Sequence, residues 1–156
     1  MLKGLFFAPL FLILYGLNAS SAFATKDFPT SPTSYLYDEA GVIGQESTSL
    51  SQILAEEDRK YGNQILIAVF KSLDGEDQVD YTNRLFKFWN PGQKGKNNGV
   101  LIATYLAEKK IRIEVGYGLE PYLTDAKSKR IIVEILGPAF RENRYGEGFI
   151  RMIRRP

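Results

Sequence analysis

Residues 94–125, KGKNNGVLIATYLAEKKIRIEVGYGLEPYLTD, leave few folds open to this chain. After Asn98-Gly99, residues 100–106 form an apolar, β-prone run suited to a buried strand. Residues 107–109 are too short for a parallel crossover, so the next strand returns antiparallel as a hairpin. In that strand Ile111, Ile113 and Val115 alternate with Arg112 and Glu114, the period of a half-buried strand. Gly116-Tyr117-Gly118 ends the pattern, Pro121 stiffens the exit, and Thr124 or Asp125 is placed to cap a helix.

The hairpin has a consequence for function. It returns the end of its second strand to the start of its first, so Asn97 and Asn98 are expected beside Gly116, Tyr117 and Gly118. Glu120 and Asp125 follow within a few residues. Polar groups separated in sequence therefore converge at one end of a sheet.

Upstream, residues 45–61 place Leu50, Ile53, Leu54 and Tyr61 on one helical stripe, with Gly62 as its stop. Residues 64–70, QILIAVF, read as a strand covered on both faces. Residues 76–89 read as a second helix with Val79, Leu85, Phe86 and Trp89 available for burial; Asn90-Pro91-Gly92 ends it. This strand–helix–strand unit predicts a parallel crossover, to which the hairpin adds an antiparallel partner. Residues 125–136 form a third helix, interrupted by Gly137-Pro138, and residues 147–155 a last amphipathic one. The expectation is an α/β fold, a small three-layer sandwich with a mixed sheet. Trp89 and the loop of residues 90–98 arrive at the same sheet end as residues 116–125.

The N-terminal 24 residues are of a different kind. Lys3 is followed by an apolar run over residues 5–15 and by Ala22-Phe23-Ala24, the pattern of a cleaved secretory signal peptide. Residues 25–34, rich in Pro, Thr and Ser, are expected to be a mobile leader, with residues 35–156 as the domain. Export predicts a periplasmic or extracellular location.

The chain has no cysteine and no histidine. That removes disulfides, thiol nucleophiles, serine–histidine triads and the common zinc sites. A formal net charge of +2 gives no concentrated basic field, so nucleic acid is not an expected partner. Arg141, Arg144, Arg151, Arg154 and Arg155 gather near the C-terminus, where a solvated helix end or a peripheral contact with anionic lipid is the reading.

Other local motifs carry less. Asp74, Glu76, Asp77 and Asp80 crowd a helix entrance, where carboxylates favour the dipole, and Gly75 is misplaced for an EF-hand loop. Gly92-Gln93-Lys94-Gly95-Lys96-Asn97 lacks the spacing and hydroxyl of a phosphate loop, and Pro121 stands where a dinucleotide fingerprint needs glycine.

Taken together, these residues resemble the TPM-domain family. The resemblance rests on Asp38-Glu39-Ala40-Gly41, the apolar strand after Gly62-Asn63-Gln64, and Leu85-Phe86 followed by Trp89. It continues through Lys96-Asn97-Asn98-Gly99-Val100-Leu101, Arg112 to Glu120, and Leu123-Thr124-Asp125. The family includes thylakoid lumen proteins, photosystem II repair factors, acetylcholine-receptor modulators and bacterial exported proteins. The resemblance implies an extracytoplasmic α/β domain, sometimes credited with acid phosphatase activity or calcium binding. Relatives often carry aspartate where Asn97 stands and an Asp-Arg pair where this chain has Lys109-Lys110, which counts against metal-assisted hydrolysis.

Two functions from different classes follow. One is a non-catalytic binding or accessory module of the cell envelope, serving assembly, repair or modulation of a membrane-associated complex. Its surface would comprise Trp89, Asn97, Asn98, Gly116, Tyr117, Gly118 and Tyr122, with the aromatic residues as anchors for a protein partner. The alternative is a phosphatase for phosphate monoesters assisted by calcium or another divalent cation, held by Glu120, Asp125 and Asn97. No nucleophile is evident, so a metal-bound water would attack.

Overall fold

Two central strands set the architecture. A computed structural model describes residues 25–154; the expected signal peptide and Arg155 lie outside them. β2 (Gln64–Phe70) and β3 (Gly99–Tyr105) pair in parallel, with Leu66 opposite Leu101, Ala68 opposite Ala103 and Phe70 opposite Tyr105. β1 (Leu36–Asp38) adds a parallel edge to β2, and β4 (Lys110–Val115) an antiparallel edge to β3. The sheet order is β1-β2-β3-β4. This is the mixed sheet expected from the short hairpin connection and the long crossover.

Alternation along β2 and β3 builds two cores. Leu66, Ala68, Phe70, Leu101, Ala103 and Tyr105 face α2 (Gln78–Trp89), which contributes Tyr81, Leu85 and Trp89. Ile67, Val69, Val100 and Ile102 face the other way. They meet Leu50 and Leu54 of α1 (Ser47–Tyr61) and Phe149 of α5 (Tyr145–Arg154). Because both faces are covered, these strands are nearly continuous in apolar residues. Each buried Leu, Ile or Phe contributes about 1.5–3 kcal/mol.

The helix starts have local causes. Asp77 caps α2 by accepting from the amides of Val79 and Asp80, and Arg84 bridges Glu76 and Asp80. The acidic entrance is thus occupied by capping and ion pairing. Thr124, rather than Asp125, caps α3 (Asp125–Ile131), its Oγ1 accepting from the Lys127 amide.

Three expectations are corrected. Gly137-Pro138 does not interrupt the third helix: a π turn over Ile132–Leu136 leads directly into α4 (Gly137–Arg141). The Gly137 amide reaches the Ile132 carbonyl, and this wider turn absorbs the misfit of a proline that lacks an N–H. Tyr61 and Val79, expected to be available for burial, are exposed, each in the terminal turn of its helix.

The leader, expected to be mobile, is a strap docked on α2. Phe28 packs tilted against Tyr81 and Phe88, with ring centroids 5.2 and 5.4 Å away. The Pro29 carbonyl accepts from Trp89 Nε1 at 2.7 Å, and Lys26 pairs with Asp74. One aromatic and one lysine, set among Pro, Thr and Ser, supply anchors that composition averages away.

Candidate functional site

At the sheet end where β3 begins and β4 ends, backbone groups lock three loops together. The Gly116 amide donates to Gly99 O at 2.8 Å, and the Gly118 amide to Asn97 O at 3.0 Å. A Cβ on Gly116 would collide with the Asn97 carbonyl, and one on Gly118 with the Lys96 carbonyl. These glycines are needed because two backbones approach too closely for any side chain. Asn97 itself adopts φ of 51°, a left-handed conformation that asparagine tolerates.

Asn98 is buried and fully engaged. Its Oδ1 accepts from the Gln93 amide at 2.8 Å, and its Nδ2 donates to the Gly62 carbonyl at 2.6 Å. The neighbouring Gln64 Oε1 accepts from the Gly92 amide. Asn98 therefore joins the end of α1 to the loop after α2, a positioning role. Trp89 is likewise in the core, 6% exposed, because its indole is covered by the strap; the surface expected of it belongs to other aromatics.

Those aromatics are Tyr117 and Tyr122, 78% and 73% exposed, on the glycine turn and the segment leading to α3. Tyr117 stands beside the Gly118–Asn97 bond, and the Tyr122 amide donates to Leu119 O at 2.9 Å. The structure thus brings Asn97, Asn98, Gly116, Tyr117 and Gly118 together, as the hairpin requires.

Beside this turn, a groove of about 550 Å³ runs between β4 and α3. Glu120 and Asp125 line it, joined by Arg112, Glu114 and Lys129. At its wall the buried Ser128 hydroxyl has no hydrogen-bond partner. Arg112 and Glu114 form an ion pair along the strand. In sequence this pair only marks the polar positions of a half-buried strand. Its place in a groove depends on how α3 is laid against the sheet edge.

A divalent cation does not fit these residues. Calcium takes about six to eight oxygen ligands. Here Glu120 and Asp125 share the groove with Arg112 and Lys129, Glu114 is paired, and Asn97 does not line it. Among the described residues, no three acidic side chains gather to hold a metal ion. Of the expected set Asn97, Glu120 and Asp125, the groove holds Glu120 and Asp125, and Asn97 lies outside its lining.

The described arginines of the basic C-terminal region are all exposed, and one of them is ion-paired. Arg144 is clamped between Glu142 and Glu147, while Arg141, Arg151 and Arg154 are exposed.

Comparison with known proteins bears on the whole domain. The N-terminal domain of a P. gingivalis protein, solved by NMR, is 27% identical, with a TM-score of 0.71 over 82% of this chain and 88% of that one. The N-terminal domain of the Corynebacterium glutamicum protein cg2496 shares the fold at 15% identity and a TM-score of 0.61, over 83% of this chain and 84% of that one. The BA42 protein of Bizionia argentinensis does so at 17% identity and 0.58, over 70% and 74%. No curated protein matches the chain in sequence. The TPM domain family model matches residues 36–155, from β1 through α5 and so across both faces of the sheet, and the chain belongs to the TPM domain family.

Proposed function

We propose that the chain is an exported cell-envelope TPM-domain protein, acting as a non-catalytic binding or accessory module for a membrane-associated complex. The observation that carries this reading is the pair Tyr117 and Tyr122, large aromatics exposed on a turn whose backbone is pinned. Tyrosine offers wide contact area at small entropic cost, and a pinned turn leaves little order to be lost on docking. The partner is an envelope protein that covers both rings. Export rests on the pattern of residues 1–24.

The test is capture from envelope extract with wild type, Tyr117→Ala and Tyr122→Ala, each checked by thermal unfolding. Retained stability with lost capture supports the reading. Equal capture by all three contradicts it. A parallel assay of phosphate-monoester hydrolysis, with and without divalent cations, reads the competing activity: turnover abolished by Asp125→Asn would favour the phosphatase instead.

A further inference from the structure

At the opposite end of the sheet, where β3 passes into β4, a second cavity of about 360 Å³ opens between the hairpin and α4. This is within the range of small-molecule pockets, about 300–1,000 Å³. Thr104 lines it, 3% exposed, and its Oγ1 has no hydrogen-bond partner. Thr104 lies on the same face of β3 as Val100 and Ile102, the face that the helices α1 and α5 cover. An unpartnered buried hydroxyl costs about 1–3 kcal/mol, so a hydrogen-bonding occupant of the cavity that reaches it is favoured.

The surroundings define what that ligand is. Phe140 and Tyr145 form an aromatic wall, their centroids 4.8 Å apart. Lys109, Lys110 and Arg141 also line the cavity, and among the described residues none of the three is in an ion pair. No acidic residue lines it. The nearby acids are engaged elsewhere: Glu108 accepts from Ser72 Oγ and the Leu73 amide, and Glu142 and Glu147 hold Arg144.

We propose that this cavity binds a small organic anion, an apolar body carrying one oxyanion group. The body lies against Phe140 and Tyr145. The oxyanion accepts from the Thr104 hydroxyl and is neutralised by Lys109, Lys110 and Arg141, since charge-assisted bonds are the stronger kind. The group comes either from a soluble metabolite or from an anionic lipid headgroup. The site is separate from the tyrosine turn and does not rest on partner binding.

The probe is phenylphosphonate, whose carbon–phosphorus bond resists hydrolysis and so makes the readout independent of any phosphatase activity. Benzyl alcohol is its neutral counterpart. In amide NMR titrations, phenylphosphonate is expected to give saturable shifts at Thr104, Arg141 and Tyr145, and benzyl alcohol none. Lys109→Gln with Arg141→Gln weakens binding about tenfold or more. Thr104→Val weakens it about fivefold while leaving Tm unchanged or raised, because the lost hydroxyl had no protein partner.

Vesicles of phosphatidylglycerol distinguish the sources. Co-sedimentation competed by phenylphosphonate assigns the anion to a headgroup; saturable phosphonate binding without sedimentation assigns it to a soluble ligand. Either result supports the site. Absence of a saturable shift up to about 10 mM, or undiminished binding by the double variant, overturns it.

Discussion

The amide of Gly118 donates to the carbonyl of Asn97 at 3.0 Å, joining the exit of β4 to the entrance of β3. This bond closes the hairpin end and sets the pitch of the turn that carries Tyr117. It also explains why a residue without a side chain stands at position 118, where the Lys96 carbonyl occupies the space of a Cβ.

Gly118→Ala should therefore destabilise the domain by about 2–3 kcal/mol, through backbone displacement rather than lost burial. Urea unfolding measures it. The same substitution at Gly95, where a Cβ meets nothing but φ is 82°, should cost only the left-handed strain, about 1 kcal/mol.

Asn98→Ala removes one acceptor and one donor from a buried junction and leaves the Gln93 amide and Gly62 carbonyl without partners. A loss of about 2–4 kcal/mol is expected. Asn98→Asp keeps the acceptor but turns the donor into a carboxylate oxygen facing a carbonyl, so it should not rescue stability. Thermal unfolding of the two variants checks this.

Much of this arrangement was legible in the residues. The three-residue connection 107–109 dictated an antiparallel return, and the glycines at 116 and 118 marked the turn that ends β4; that two backbones close up there emerges only in the fold. The parallel crossover followed from an apolar strand, an amphipathic helix and a second apolar strand. What escaped reading depended on long-range placement. Trp89 reads equally as a buried helix residue and as a surface anchor; the strap at Pro29, 60 residues away, covers its indole and decides for burial. The strap escaped because Phe28 and Lys26 are single anchors without periodicity. Arg112 and Glu114 enter a groove only when α3 lies beside β4. The helix passed through Pro138 because a π turn, set by local packing, shifted the hydrogen-bond ladder.

The strap gives a third prediction. The chain has one tryptophan, so its fluorescence reports strap docking. Phe28→Ala should red-shift Trp89 emission and lower stability by about 1–3 kcal/mol, since Phe28 is partly buried against Tyr81. An unchanged spectrum and Tm would mean that the strap contributes nothing to the core.

A fourth concerns alkaline pH. Burial pushes the Tyr105 phenol up to about 12, opposed by its hydrogen bond with Thr82. Burial likewise raises Tyr81. The native state thus holds both phenols neutral where the unfolded chain ionises them near pH 10. The contribution of Tyr105 is complete below pH 10 and is lost as pH rises toward about 12. For Tyr105 the loss amounts to about 3 kcal/mol. Tyr105→Phe should flatten this decline in pH-dependent unfolding, at the expense of the hydroxyl pair at neutral pH.

The central claim is that the tyrosine turn contacts a partner in the envelope. Photo-crosslinking from a benzoylphenylalanine placed at Tyr122, in cells expressing the full chain, tests it most directly. The control position is Val133, 61% exposed on the π turn. A discrete adduct from position 122, absent from 133 and lost when Tyr117→Ala is added, is the predicted result. Identical adduct patterns from both positions, or no adduct from position 122, would contradict the account.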